Sequence, residues 1–260
     1  MINAHTSAAI AQVVIYAPML PAVIYLFSRN ARIRPRMAWW PLIPFSLFRL
    51  AGGIVTILAE NDKSENPGLW ISALILLNVG VVPLIVASLG MTRLIIQDNH
   101  ASNPTYEKLA KLLRITFVAA ILLLAAGGGT SAVSARVSRS LTLAGYVVFA
   151  VELALLTGMQ VLFFQRRDRD ALLPSSRRVL TAALAAAPLL AVRTAYGLLE
   201  VAEQGNADSL WNPLTGSPVA FALMALLPEY IVLVGWVIMG FSIPPRREVG
   251  QSLDGEQAKV

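Results

Sequence analysis

Four ionisable side chains stand near the middle of long apolar runs: Arg49, Glu152, Arg193 and Glu229. Guanidinium and carboxylate are complementary in shape and charge, and their planar bidentate pairing recovers more desolvation than other ion pairs do. The same groups could do chemistry. A desolvated carboxyl at Glu152 or Glu229 could give a proton to an alkene, epoxide or enol, with Tyr196 or the second carboxylate directing the later proton loss. An arginine beside either glutamate would hold it ionised, so an unpaired glutamate suits the acid role. Glu152 is preferred for it, because Glu229 follows Pro228 and is one partner for Arg193. The arginines could instead receive a polar or anionic ligand. A third reading has the ion pairs only clamp helices together, with no ligand.

The charges do not stand alone. In "LLAVRTAYGLLEVAE" (189–203), Arg193, Tyr196, Gly197 and Glu200 fall on one helical stripe, and Arg49, Gly53, Thr56 and Glu60 form a similar stripe in the second run. Gly53 and Gly197, one turn beyond each arginine, are expected to let a helix or a ligand approach the backbone. Asn78, Gln160 and Tyr230 are further polar groups for the same interior. Arg49, Arg193, Asn78, Glu200 and Tyr230 are therefore the candidate ligand-binding residues, and Glu152, Glu229 and Tyr196 the candidate catalytic ones.

What positions these residues is a membrane. The chain has 260 residues, of which 56% are hydrophobic and 14% charged, and its mean hydropathy is +0.64. Runs near the ~20 residues that cross a hydrocarbon core lie at about 7–27, 38–59, 69–91, 112–128, 141–164, 179–202 and 219–241. The fold expected is all-α, with seven transmembrane helices in one domain over residues 1–243 and a flexible cytosolic tail over 244–260. At a helix centre each charge costs ~2.5–3.5 kcal/mol on insertion scales, so four left facing lipid would cost roughly 10–14 kcal/mol. An interior cluster drawn from the second, fifth, sixth and seventh helices is the expectation.

Basic residues set the orientation. Arg29, Arg32, Arg34 and Arg36 follow the first span, Arg93 to Arg114 surround the third loop, and Arg166, Arg167, Arg169, Arg177 and Arg178 lie between the fifth and sixth spans. The positive-inside rule places these in the cytosol with the C-terminus, and the N-terminus outside. The net charge of +6 is thus a topology signal and not a nucleic-acid footprint. The partners expected are the lipid bilayer and a lipophilic small molecule, with no nucleic acid and the oligomeric state open. The chain contains no cysteine, and neither of its two histidines sits in a metal-binding pattern. No metal and no cofactor are expected. The first apolar run lacks a basic leader and reads as an uncleaved span in an endoplasmic reticulum or plasma membrane.

Smaller signals remain. Trp39 and Trp40 stand where interfacial anchors would, and Trp211 with "NPLTGSP" is expected to form a turn with an interfacial anchor, an ordered outer lid being the alternative. "RLAGG" (49–53) aligns with "RTAYG" (193–197), and Pro83 and Pro228 occupy the third helix of each half. A three-one-three parallel repeat, an arrangement known in carriers, is one expectation. Prolines from Pro18 to Pro228 break or bend helices, which a bilayer tolerates only where protein or a cavity satisfies the backbone.

"FSLFRLAGGI", "LLNVGVVPLIVASLGMTRL", "PLLAVRTAYGLLEV", "WNPLTGSPVA" and "PEYIVLVGWVIMGF" together resemble a family of fungal seven-span integral membrane proteins carrying a domain of unknown function. The resemblance implies a fungal source, seven helices and a setting in secondary metabolism, where such genes can cluster, but no established activity. The small seven-span meroterpenoid cyclases are similar in size and use acidic side chains in the membrane interior. This chain departs from their acidic second helix, where it has Arg49, with Glu60 only at the helix end.

Overall fold

A computed structural model describes residues 3–33, 35–62, 67–99, 104–130, 134–167, 172–204, 206 and 209–245. Most of the expected tail, and the loop positions Lys63, Arg34 and Arg169, lie outside the described residues. Among these the chain is all helical, and seven helical stretches are long and apolar enough to cross a membrane. They run Ala4–Arg29, Arg36–Asn61, Gly68–Asn99, Pro104–Thr130, Ala135–Arg166, Pro174–Ala202 and Pro218–Ser242. This is an integral membrane protein. Val14, Leu122 and Val151, exposed on the outer surface of the bundle, are side chains that meet lipid acyl chains.

Within the spans, α1 is Ala4–Arg29 and α2 is Leu42–Asn61, preceded by a 3-10 turn at Arg36–Ala38. The third span divides into α3 (Pro67–Val79) and α4 (Val81–Asn99). Then come α5 (Pro104–Thr130), α6 (Ala135–Arg166) and α7 (Pro174–Ala202). The seventh span joins the short α8 (Pro218–Phe221), a π-helical segment Ala222–Leu226 and α9 (Leu227–Ser242).

Two breaks shape the interior. Proline has no N–H and its ring crowds the carbonyl four residues back, so Pro83 disfavours a regular helix at Val79. The third span is broken there, between Val79 and Val81. The seventh span winds wide over Ala222–Leu226 immediately before Pro228, and such π segments re-aim the side chains that follow them. The third and seventh spans therefore both depart from a regular α-helix just ahead of a proline.

Gly90, Gly53 and Gly240 allow close approach between elements. A Cβ on Gly90 would overlap the backbone of Met37 and Ala38, so α4 can meet the 3-10 turn only with glycine there. One on Gly53 would lie 2.8 Å from Val13 Cγ2 and 3.1 Å from the Ala9 carbonyl, so this glycine serves the α1–α2 crossing and not a ligand. One on Gly240 would lie 2.7 Å from Trp39 Cζ3. That packing differs from the expected pair of interfacial anchors: Trp39 is buried, and Trp40 alone keeps a half-exposed ring.

Basic side chains on the predicted inner side also tie the fold together. Arg29 donates to the carbonyls of Gly240 (3.1 Å) and Ile243 (3.2 Å), Asn30 donates to Gly240 (3.2 Å), and Arg178 donates to Ser242. Cations at the last carbonyls of α9 are favourably placed against its dipole. Two of the topology arginines are thus also helix caps.

Candidate functional site

Three of the four mid-span charges meet. Arg49 of α2 and Arg193 of α7 both donate to one oxygen, Oε1 of Glu229 on α9, Arg193 through its Nε at 2.5 Å and Arg49 through Nη2. None of the three side chains is more than 1% exposed. Glu229 follows the π segment and Pro228 directly, so the widened turn aims its carboxyl between α2 and α7.

The broken third span supplies the surrounding acceptors. A helix end leaves its last carbonyls without intrahelical partners. At the end of α3, the Leu77 carbonyl accepts from Arg193 Nη2 (3.4 Å) and the Asn78 carbonyl accepts from the Tyr146 hydroxyl (3.2 Å). The same end presents the negative pole of the α3 dipole to the guanidiniums. Gly80 makes the approach possible, since a Cβ there would stand 2.6 Å from Cζ and 2.7 Å from Nε of Arg49. Gln12 of α1 donates to the Arg49 carbonyl, and Tyr16, one turn on, packs edge-on against Phe45 and Tyr230.

Satisfaction is incomplete at this centre. Arg49 Nε and Nη1, Arg193 Nη1, Glu229 Oε2 and the Tyr16 hydroxyl are buried without a hydrogen-bond partner among the described residues. A buried donor left unpaired costs about 1–3 kcal/mol, and more if charged, so a cluster of them marks a place for a polar group. Two guanidiniums against one carboxylate also leave one excess positive charge.

Outward from the triad, the Asn78 side chain lies beside the carboxyl of Glu200, two turns beyond Arg193 on α7. Asn78 Oδ1 and Glu200 Oε2 are again buried and unpaired. Gly197 faces Tyr146, whose ring Cζ would be 2.9 Å from a Cβ, so here too glycine admits a neighbouring side chain. Tyr196 is fully buried and donates to the Trp211 carbonyl at 2.8 Å. The Asn212 side chain accepts from the amides of Leu214 and Thr215, and Gly216 and Ser217 close the loop on the backbone. Residues 209–217 therefore form an ordered cap packed on Tyr196, where a turn with an interfacial anchor was expected. Removing the hydroxyl with Tyr196→Phe should cost about 0.5–1.5 kcal/mol and speed amide hydrogen exchange in 210–216. Exchange unchanged in that loop would show that the bond does not hold the cap.

Glu152 does not join the triad. It lies between α5 and α6, where it accepts from the Thr116 hydroxyl, and its Oε2 has no partner among the described residues. Gln160, two turns further along α6, donates to Ser88 (3.2 Å) and Thr92 (3.0 Å) of α4. It belongs to a separate polar contact. Glu60 is near the N-terminus, within 3.4 Å of the Asn3 amide.

The residues that sequence reasoning missed are Gln12, Tyr16, Gly80 and Tyr146. Gln12 and Tyr16 had a signal, two hydrogen-bonding side chains one turn apart in an apolar span. Gly80 had none beyond its place three residues before Pro83.

A family defined by a domain of unknown function, DUF7702, matches residues 2–246. The chain belongs to that family. No curated protein and no solved structure matches the chain. The family carries no assigned activity, so what the site does has to be argued from its geometry.

Proposed function

We propose that this membrane protein binds a lipophilic small molecule through its interior charged site, with an acidic or strongly polar group of the ligand received by Arg49 and Arg193. The observation that carries this is the set of unpaired guanidinium nitrogens, Arg49 Nε and Nη1 and Arg193 Nη1, in a centre with one excess positive charge. Charge-assisted hydrogen bonds from guanidinium to carboxylate or phosphate are the strong ones, and in a low-dielectric interior they are stronger still. Carrier or sensor is the reading this supports. An acid–base cyclase or isomerase is served less well, because Glu229 Oε1 already accepts from both arginines and Glu152 stands apart from Tyr196 and the triad. The setting proposed, fungal secondary metabolism at the endoplasmic reticulum or plasma membrane, rests on the resemblance in the sequence.

Octanoate is a suitable probe, being a carboxylate on an alkyl chain. Protein purified in a nonionic detergent should retain radiolabelled octanoate saturably, with octanol and octylamine displacing it poorly. A variant with all three charges replaced, R49M/R193M/E229M, should bind at least about tenfold less, each lost charged hydrogen bond contributing ~1.5–3 kcal/mol. Equal retention by that variant would reduce the signal to micelle partition and defeat the proposal.

A further inference from the structure

Resting on that binding reading, we infer that the ligand is bipolar: an acid at one end, held by Arg49 and Arg193, and a hydrogen-bond donor such as an amine at the other, held by Asn78 and Glu200. The site has unpaired atoms of two opposite kinds at two depths. Inside, the unpaired guanidinium nitrogens, Arg49 Nε and Nη1 and Arg193 Nη1, are donors, and they outnumber the one unpaired carboxylate oxygen there, Glu229 Oε2. Further out, the unpaired atoms Asn78 Oδ1 and Glu200 Oε2 are acceptors. Donors at one end call for an acceptor on the ligand, and acceptors at the other call for a donor.

The charges are arranged in the same sense. Two guanidiniums and the Glu229 carboxylate leave the inner end positive, and Glu200 puts an acidic group at the outer end. A zwitterion laid along this axis meets opposite charge at both ends, whereas a simple fatty acid leaves the outer acceptors unmet.

The separation of the ends follows from the helix. Arg193 and Glu200 lie seven residues apart on one face of α7, about 10 Å along the axis at ~1.5 Å per residue. Helical side chains lean toward the N-terminus together, so the spacing of the heads stays close to that of the backbone. Between them the Tyr146 ring is lodged against Gly197, and Tyr196 stands one turn from Arg193. A ligand of this class therefore has an apolar middle about eight bonds long, the span of 8-aminooctanoate.

The sign of the effect is diagnostic. Burying an amine without an acceptor costs free energy, so an added amine should weaken binding unless acceptors meet it. Displacement of radiolabelled octanoate from the full chain in detergent compares 8-aminooctanoate, 4-aminobutyrate and unlabelled octanoate. The expected result is that 8-aminooctanoate displaces the label about tenfold better than octanoate, that the shorter 4-aminobutyrate shows no such advantage, and that Glu200→Met and Asn78→Leu each abolish the advantage of the long amino acid over octanoate. Those two variants lie on different helices, so a folding failure in one leaves the other informative. The inference is overturned if the amine brings no advantage in the unaltered chain, if the short amino acid gains as much as the long one, or if the advantage survives both substitutions. Failure of the underlying binding reading looks different, because octanoate itself would then not be held by the three charges.

Discussion

Glu229→Gln should destabilise the protein by about 3–5 kcal/mol, the cost of breaking a buried ion pair from one side. The loss is large because this one carboxylate serves two cations. With a neutral amide in its place, Arg49 and Arg193 face each other in the interior with no anion between them. Arg49→Met and Arg193→Met should each cost less, about 1–3 kcal/mol, since either change leaves one guanidinium still matched to Glu229. Unfolding by titration of a denaturing detergent into a mild one measures all three. An ordering in which the glutamate substitution is the mildest would contradict the shared-carboxylate geometry.

Gly80→Ala is the second large effect. The added methyl would press on the Arg49 guanidinium, with Cζ at 2.6 Å, and neither partner can easily move. The arginine is held by Glu229, and the backbone of residue 80 sits in the break between α3 and α4. Overpacking of this kind costs about 1–3 kcal/mol, and here it also draws Arg49 off its partner. Gly158→Ala is the control, because nothing lies within 4 Å of its Cβ position and alanine is the better helix former by ~1 kcal/mol. It should be neutral or stabilising. Combining Gly80→Ala with Arg49→Met should cost less than the sum of the two, since the methyl then has space. Strict additivity would show that residue 80 and Arg49 do not meet.

How far the site was legible in the sequence depends on the kind of information each feature needs. The seven spans follow from hydropathy, because hydrocarbon excludes exposed backbone and long polar stretches. The requirement that mid-span charges be neutralised is equally a matter of solvation, and Arg49, Arg193 and Glu229 do converge. Which carboxylate answers which arginine is another matter. It depends on the rotation of each helix about its axis, and all the spans are apolar enough that periodicity leaves that rotation open. Glu152 illustrates the point: its depth resembles that of Glu229, but its face of α6 turns to Thr116 on α5. Gly80 was invisible for a different reason. Its role comes from a break in the third span that frees the Leu77 and Asn78 carbonyls, and that consequence emerges only when α6 and α7 are packed against it. The cap at 209–217 likewise depends on Tyr196 reaching the Trp211 carbonyl, a contact between a helix and a loop that local turn chemistry does not reveal.

The stability of R49M/R193M/E229M measured beside its three single variants tests the convergence most directly. A buried triad exchanged as a set for apolar side chains of similar volume is commonly neutral or stabilising, while opening it from one side is costly. The geometry predicts a triple variant within about 1 kcal/mol of the unaltered protein or above it, far more stable than Glu229→Gln. A triple variant that loses the full sum of the single losses would mean that the three charges act separately, and that Glu229 is not their common centre.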